Sequence, residues 1–219
     1  MNARDAIFAA TGGPSRPAAG IAREAAALLD RVSDLRPERV TGDPSQAFLA
    51  RVTGAAIGAT ATRVASLAQA PAAVRAYLGA RNLPASIALQ PHPKLAALDW
   101  SGLDTHPSIA VDEAAAVLFA PYAVAETGSL VFRSGPDMPV LLAFLPLHCL
   151  VVVEAATVVP WLEDCAAIEA KRPAPRNLNL ITGASGTTDI EGALVRGAHG
   201  PANLHVIFVE PFNVQSESQ

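Results

Sequence analysis

The sequence predicts an α/β protein: three layers, α/β/α, around a mostly parallel sheet, with a helical arm at the N-terminus. Three observations carry this. The 219 residues are 51% hydrophobic and 16% charged, enough apolar mass to fill a sizeable core. Short apolar, β-branched runs alternate with helical stripes, the pattern of strands covered on both faces by crossover helices. The first forty residues carry helical periodicity and then a polar break, so they read as an appendage. Aromatic residues make up only 5%, and the core is therefore built mostly from Ala, Val, Leu and Ile.

The elements follow in order. Residues 1–10 suit a short helix and 11–17 are turn material. Ile21, Ala25, Leu28, Leu29 and Val32 fall on one helical stripe. The stretch 36–43 is polar, which places an arm at 1–42 and the main domain at 43–219. Asp43 caps a helix that Pro44 opens, with Gln46 three residues after the cap. Phe48, Leu49, Val52 and Ala56 give that helix its buried face. Gly58 ends it before a strand over 59–64. Pro71 opens a helix with Val74, Tyr77 and Leu78 inward, and 85–89 reads as a strand. Residues 115–119 form a small apolar run; further strands are expected over 129–132, 149–153, 178–182 and 204–209, with helices over 160–170 and 188–196. The runs at 149–153, 178–182 and 204–209 are expected to be neighbours in one sheet.

Composition excludes several classes. The net charge is −4, with no basic surplus to neutralise a phosphate backbone, so nucleic acid is not an expected partner. Lys94 and Lys171 are the only lysines, which leaves little room for Schiff-base chemistry. Cys149 and Cys165 are too few to hold a cubane iron–sulfur cluster and read as buried, reduced thiols. No HxxxH or HxH spacing marks a metal site. The longest apolar stretch, 140–153, contains Pro146 and His148 and falls short of the ~20 residues of a spanning helix. The N-terminus lacks the apolar run of a signal peptide, so a cytoplasmic location without a membrane span is expected.

Three segments could carry chemistry. The first is Gly183-Ala-Ser-Gly-Thr-Thr-Asp-Ile-Glu191. It reads as a strand running through a small-residue loop into a helix that Thr188 and Glu191 cap. Gly183, Ser185, Gly186, Thr187, Thr188 and Asp189 would cradle a small anion at the helix start. The segment lacks the lysine and spacing of a Walker loop and the pattern of a dinucleotide fingerprint. The second segment is Glu126-Thr127-Gly128-Ser129. Glu126 is either a base or nucleophile in a cleft, or a carboxylate tying down a turn; Thr127 and Gly128 would border the same ligand. The third is Gly197-Ala-His199-Gly-Pro201, with His199 as a candidate acid–base group. A triad of Ser185, His199 and Asp189 has no nucleophile elbow to support it. His205, alternating with apolar neighbours, is expected to face solvent. His148 reads as a core residue or a cleft residue, and His92 as a surface loop residue.

At these motifs the sequence resembles the lactate utilisation protein C family, the LUD domain. The matching segments are Ala125-Glu-Thr-Gly-Ser-Leu130, Leu145-Pro-Leu-His148, Gly183 to Glu191, and Gly197-Ala-His-Gly-Pro201 with Leu204-His-Val206. The resemblance implies a fold like that of sugar-phosphate isomerases, formyltetrahydrofolate cyclo-ligases and CoA transferases. It also implies a subunit supporting oxidation of L-lactate to pyruvate, with iron–sulfur clusters in partner proteins and no cofactor in this chain. Two alternatives stand beside it: a stand-alone isomerase, ligase or CoA-transferase-like enzyme, and a non-catalytic assembly subunit. At the glycine loop Ala184 stands where the family has proline, and Gly186 where it has a basic residue. Arg196 is the candidate to take that place.

Overall fold

The computed structural model describes residues 3–10, 17–31, 40–110, 113–188 and 191–210. The chain divides into two compact units, residues 1–39 and 40–219. The first carries helices α1 (Ala3–Ala10) and α2 (Ala18–Asp30). Ile21, Leu28 and Leu29 of α2 are exposed, and Val32 lies outside the described residues.

The larger unit holds helices α3 (Pro44–Thr53), α4 (Ala70–Ala80), α5 (Pro93–Ala96) and α6 (Leu162–Glu169). Its strands are β1 (Thr60–Val64), β2 (Ser86–Leu89), β3 (Asp104–His106), β4 (Ala115–Phe119), β5 (Tyr122–Val124), β6 (Ser129–Arg133), β7 (His148–Glu154), β8 (Val158–Val159), β9 (Leu178–Ile181), β10 (Gly186–Thr188), β11 (Leu194–Arg196) and β12 (Asn203–Val209). Six of them form the main sheet in the order β1-β12-β7-β4-β2-β3. Every pair in it is parallel.

The reason for this order lies in β4, β7 and β12. Their side chains alternate between two cores, as the period of two requires. Leu118, Val151 and Phe208 point to one face, where they meet Phe48, Leu49 and Val52 of α3 and Leu130 and Phe132 of β6. Val117, Leu150 and Ile207 point to the other, against Val74, Tyr77 and Leu78 of α4 and Leu95 of α5. Strands without a polar face need cover on both sides, and helices in the crossovers supply it.

On the α3 side the cover is completed by a second sheet, in the order β8-β5-β6-β9. Ala123, Leu130 and Phe132 of this sheet face the main core. Tyr122, Val124 and Val131 face away and pack with Cys165 of α6. The outer layer on this side is thus helix plus sheet.

Two expectations are corrected here. β7 and β12 are neighbours, but β9 is not in their sheet; it pairs antiparallel with β6. Its residues alternate between exposed and half-buried, so Leu178 and Leu180 lie on the open side of an edge strand. The helix expected over 188–196 is replaced by the antiparallel hairpin β10–β11, with Thr187 opposite Val195. Thr187, Thr188 and Val195 are β-branched and favour a strand over a helix.

α3 begins as its residues demand. Asp43 Oδ1 accepts from the Ser45 N–H at 2.9 Å, and Pro44 occupies the first turn. Phe48 stacks on Phe208 of β12 at 6.1 Å between ring centroids, and both are fully buried.

His205 does not face solvent. It is 4% exposed, bonds Thr60 Oγ1 through Nδ1 at 2.7 Å and Thr62 Oγ1 through Nε2 at 3.1 Å, and packs 4.4 Å from the Tyr77 ring. Burial first, and the Arg81 charge second, push its pKa down to about 4. The unfolded chain therefore binds a proton at this residue between about pH 6.5 and 4 that the folded chain refuses.

Two outcomes are expected. Phe48→Ala should cost about 3–5 kcal/mol, read by denaturant unfolding. Stability should fall as pH drops from 6.5 to 4, with His205 contributing on the order of 3 kcal/mol to the loss. His205→Gln should flatten that part of the pH–stability curve.

Candidate functional site

The turn from α3 to β1 is the peg on which two of the motifs hang. Ile57 projects from this turn. A Cβ on Gly128 would stand 2.7 Å from Ile57 Cδ1 and 2.8 Å from Arg51 Cγ. A Cβ on Gly183 would stand 3.0 Å from both Ile57 Cγ2 and Ile57 O. Gly128 has φ +69° and Gly183 φ +98°, where a side chain is strained. Both glycines are thus required for two independent reasons, and together they clasp Ile57.

A chain of hydroxyls ties the same segments together. Thr127 Oγ1 and Ser129 Oγ are 2.7 Å apart, and Ser129 Oγ and Thr182 Oγ1 are 2.5 Å apart. The third motif joins through Ser185. The Ser185 N–H donates to Pro201 O at 2.8 Å, and Ser185 O accepts from the Gly197 N–H at 3.0 Å. A Cβ on Gly200 would come within 3.1 Å of Ser185 Cβ. The segments around Gly128, Gly183 and Gly197–Pro201 therefore form one contiguous structure, although they are far apart in sequence.

The candidate residues occupy different places in it. Glu126 Oε2 accepts from the Leu162 N–H at 3.2 Å, at the start of α6. That places a carboxylate at the positive end of a helix dipole. His199 is exposed in its turn. Thr127 and Thr187 are half-buried, and Gly186 and Thr188 are exposed on β10. Asp189 lies outside the described residues. Gly183 opens onto a hairpin, so no helix N-terminus stands behind the loop; any anion there must be held by side chains and turn amides.

Two arginines meet that need. Arg196 Nη2 lies 4.0 Å from where a Cβ on Gly58 would stand, beside the Ile57 turn. Arg51 crosses Gly128 with its aliphatic stem. Neither forms an ion pair among the described residues. Sequence reasoning finds Arg196 but misses Arg51, because nothing in the spacing of α3 links an exposed arginine to a glycine 77 positions later.

The two cysteines, Cys149 on β7 and Cys165 on α6, are free and buried. Burial pushes the Cys149 thiol up to about 12, so it stays protonated. No group of three His, Cys, Asp or Glu that could hold a metal ion occurs among the described residues. No helix among them is long and apolar enough to cross a membrane.

A parallel sheet with a reversal in strand order, backed by a small mixed sheet that carries glycine-rich motifs, defines a class of three-layer α/β proteins. The crystal structure of a DUF162 family protein from Deinococcus radiodurans has the same fold, with a TM-score of 0.54 at 24% identity, covering 76% of this chain and 96% of that one. Residues 109–209 match the LUD domain. The Lactate utilization protein C of Anoxybacillus flavithermus is 34% identical over 86 residues, 39% of each chain. That of Bacillus pumilus is 32% identical over 107 residues, 47% of this chain and 45% of the relative. That of Geobacillus kaustophilus is 36% identical over 98 residues, 42% of this chain and 41% of the relative. The matched region spans less than half the length of these relatives.

The clasp makes a specific prediction. Gly183→Ala should lower stability by roughly 2 kcal/mol, seen as a fall in Tm of about 4–8 °C, since both space and φ oppose it. Gly186→Ala should leave Tm nearly unchanged, because its Cβ would meet only Leu194 Cδ1 at 3.4 Å, an ordinary contact.

Proposed function

We propose that this chain takes part in lactate utilisation as a cytoplasmic subunit. It supports oxidation of L-lactate to pyruvate beside iron–sulfur partner proteins and binds a small anion at the glycine clasp. One observation carries the reading: the LUD match over 109–209 contains all three motifs, and those motifs meet in one contiguous structure. Relatives over this region are called Lactate utilization protein C.

The chemistry assigns the roles. Taking L-lactate to pyruvate removes two electrons and two protons, and an electron carrier must accept them. Two cysteines are too few for a cubane cluster, and partners that hold such clusters would supply the carrier. The clasp would hold a carboxylate between the guanidinium groups of Arg196 and Arg51, with the hydroxyls of Ser185, Thr187 and Thr188 as further donors. Arg196 then stands in for the basic residue that the family places at position 186. Glu126 acts here by fixing α6 to the second sheet, and His199 by presenting an exposed imidazole at the rim.

The test is reconstitution. The purified chain, given L-lactate and an artificial electron acceptor, should reduce nothing. With the iron–sulfur partners added, lactate-dependent reduction should appear, and Arg196→Ala should lower it by about tenfold, the size of one lost charge-assisted contact. Turnover by the chain alone overturns the subunit reading, as does its absence from the full set of partners.

A further inference from the structure

The main sheet has a second feature that ligands use. β2 leads outward to β3, whereas β4, its neighbour on the other side, leads back toward β7. The carboxyl ends of β2 and β4 therefore border a topological switch point, the place where open α/β sheets form a crevice. A cavity of about 230 Å³ lies there, next to Gln90 and His92 after β2, Phe119 at the end of β4 and Pro121 beyond it. It shares no residue with the glycine clasp.

The polar groups at this cavity divide into those already used and those left over. Gln90 is buried and spent: its Oε1 accepts from the Phe119 N–H at 2.7 Å, and its Nε2 donates to Asp137 O at 2.8 Å. It anchors the turn that carries Asp137. Arg133 is bound to Glu169 and to Pro173 O. His92 Nδ1 accepts from the Lys94 N–H at 3.2 Å, which leaves the ring proton on Nε2 as a donor. Its ring stacks on Phe119 at 4.6 Å. Two charges remain, Arg172 and Asp137. Neither forms an ion pair among the described residues, with each other or with a third group.

An unpaired cation and an unpaired carboxylate at one cavity complement a ligand with the opposite arrangement. The guanidinium fork fits a carboxylate. The Asp137 carboxylate accepts from a donor and repels an acceptor. Pro121 is half-buried and, with Phe119 and Met138, supplies the apolar part of the lining. With about 30 Å³ per water in the liquid, the cavity equals some seven or eight waters, room for a branched or aryl side chain beyond a three-carbon acid.

We propose that this cleft binds a small acid with a hydrogen-bond donor on the carbon next to its carboxylate and an apolar side chain, that is, a 2-hydroxy or 2-amino acid. The carboxylate lies on Arg172, the hydroxyl or ammonium on Asp137, and the side chain against Pro121 and Phe119. His92 Nε2–H is a further donor to the carboxylate. Binding here is independent of lactate oxidation, because the two sites have no residue in common.

Titration calorimetry of the full chain tests this with four probes: L-3-phenyllactate, L-phenylalanine, phenylpyruvate and inorganic phosphate. Phenyllactate or phenylalanine should bind about tenfold or more tightly than phenylpyruvate, which presents an acceptor where Asp137 needs a donor, and than phosphate. Whichever of the first two binds names the source of the ligand, and binding of both establishes the shared chemistry. Arg172→Ala should weaken binding about tenfold, and Asp137→Asn should erase the preference over phenylpyruvate. Both residues are exposed, and unchanged thermal unfolding of the variants confirms their fold. No heat from any probe, equal binding of phosphate, or unchanged affinity in Arg172→Ala would each overturn the proposal.

Discussion

Burial of β4, β7 and β12 on both faces is the constraint from which the rest of the molecule follows. Val151 and Leu150 are neighbours in sequence, fully buried, and belong to different cores. Such strands cannot leave either face to water, so the chain must cross over after each one and lay something apolar on the sheet. On one side α4 and α5 are sufficient. On the other, α3 covers the β1–β12 end, and the second sheet covers the rest with Ala123, Leu130 and Phe132. The second sheet is thus part of the packing solution, and it is also what carries the motifs to their meeting place.

The clasp around Ile57 shows how packing and chemistry are joined. Gly128 lies just before β6 and Gly183 just after β9, two strands that pair in the second sheet. Their close approach to the α3–β1 turn docks the second sheet against the first. Because the contact is to backbone and branched side chain, it has little room to adapt. The same approach brings Arg51 of α3 and Arg196 of β11 to one region of the surface. Docking and charge placement are a single event there: the clasp collects cations, whereas the switch-point cleft borders one cation and one carboxylate. The two regions differ in the ligand chemistry they can accept.

What could be read from the residues alone was whatever depends on local periodicity and capping. The apolar runs at 115–119, 149–153 and 204–209, the Asp43–Pro44 start of α3, and the mostly parallel α/β class belong to this kind, because burial on two faces imprints a composition that needs no partner to be recognised. The motifs were also visible as small-residue segments, through their resemblance to a known family. Pairing was not visible. Leu178–Ile181 looks like its apolar counterparts, yet it forms the edge of a different sheet, since the strand it meets, Ser129–Arg133, lies some 45–51 positions earlier in the chain. The Gly186–Arg196 segment carries helix-cap signals and still forms a hairpin, because cross-strand contact of Thr187 with Val195 outweighs a local cap. The burial of His205, the link of Glu126 to α6, and the pairing of Arg51 with a glycine loop are all contacts between distant segments. Periodicity in the sequence determined which faces must be hidden. Tertiary structure decided which segments hide them, and therefore where the charges and hydroxyls converge, because those contacts exist only once the two sheets have docked.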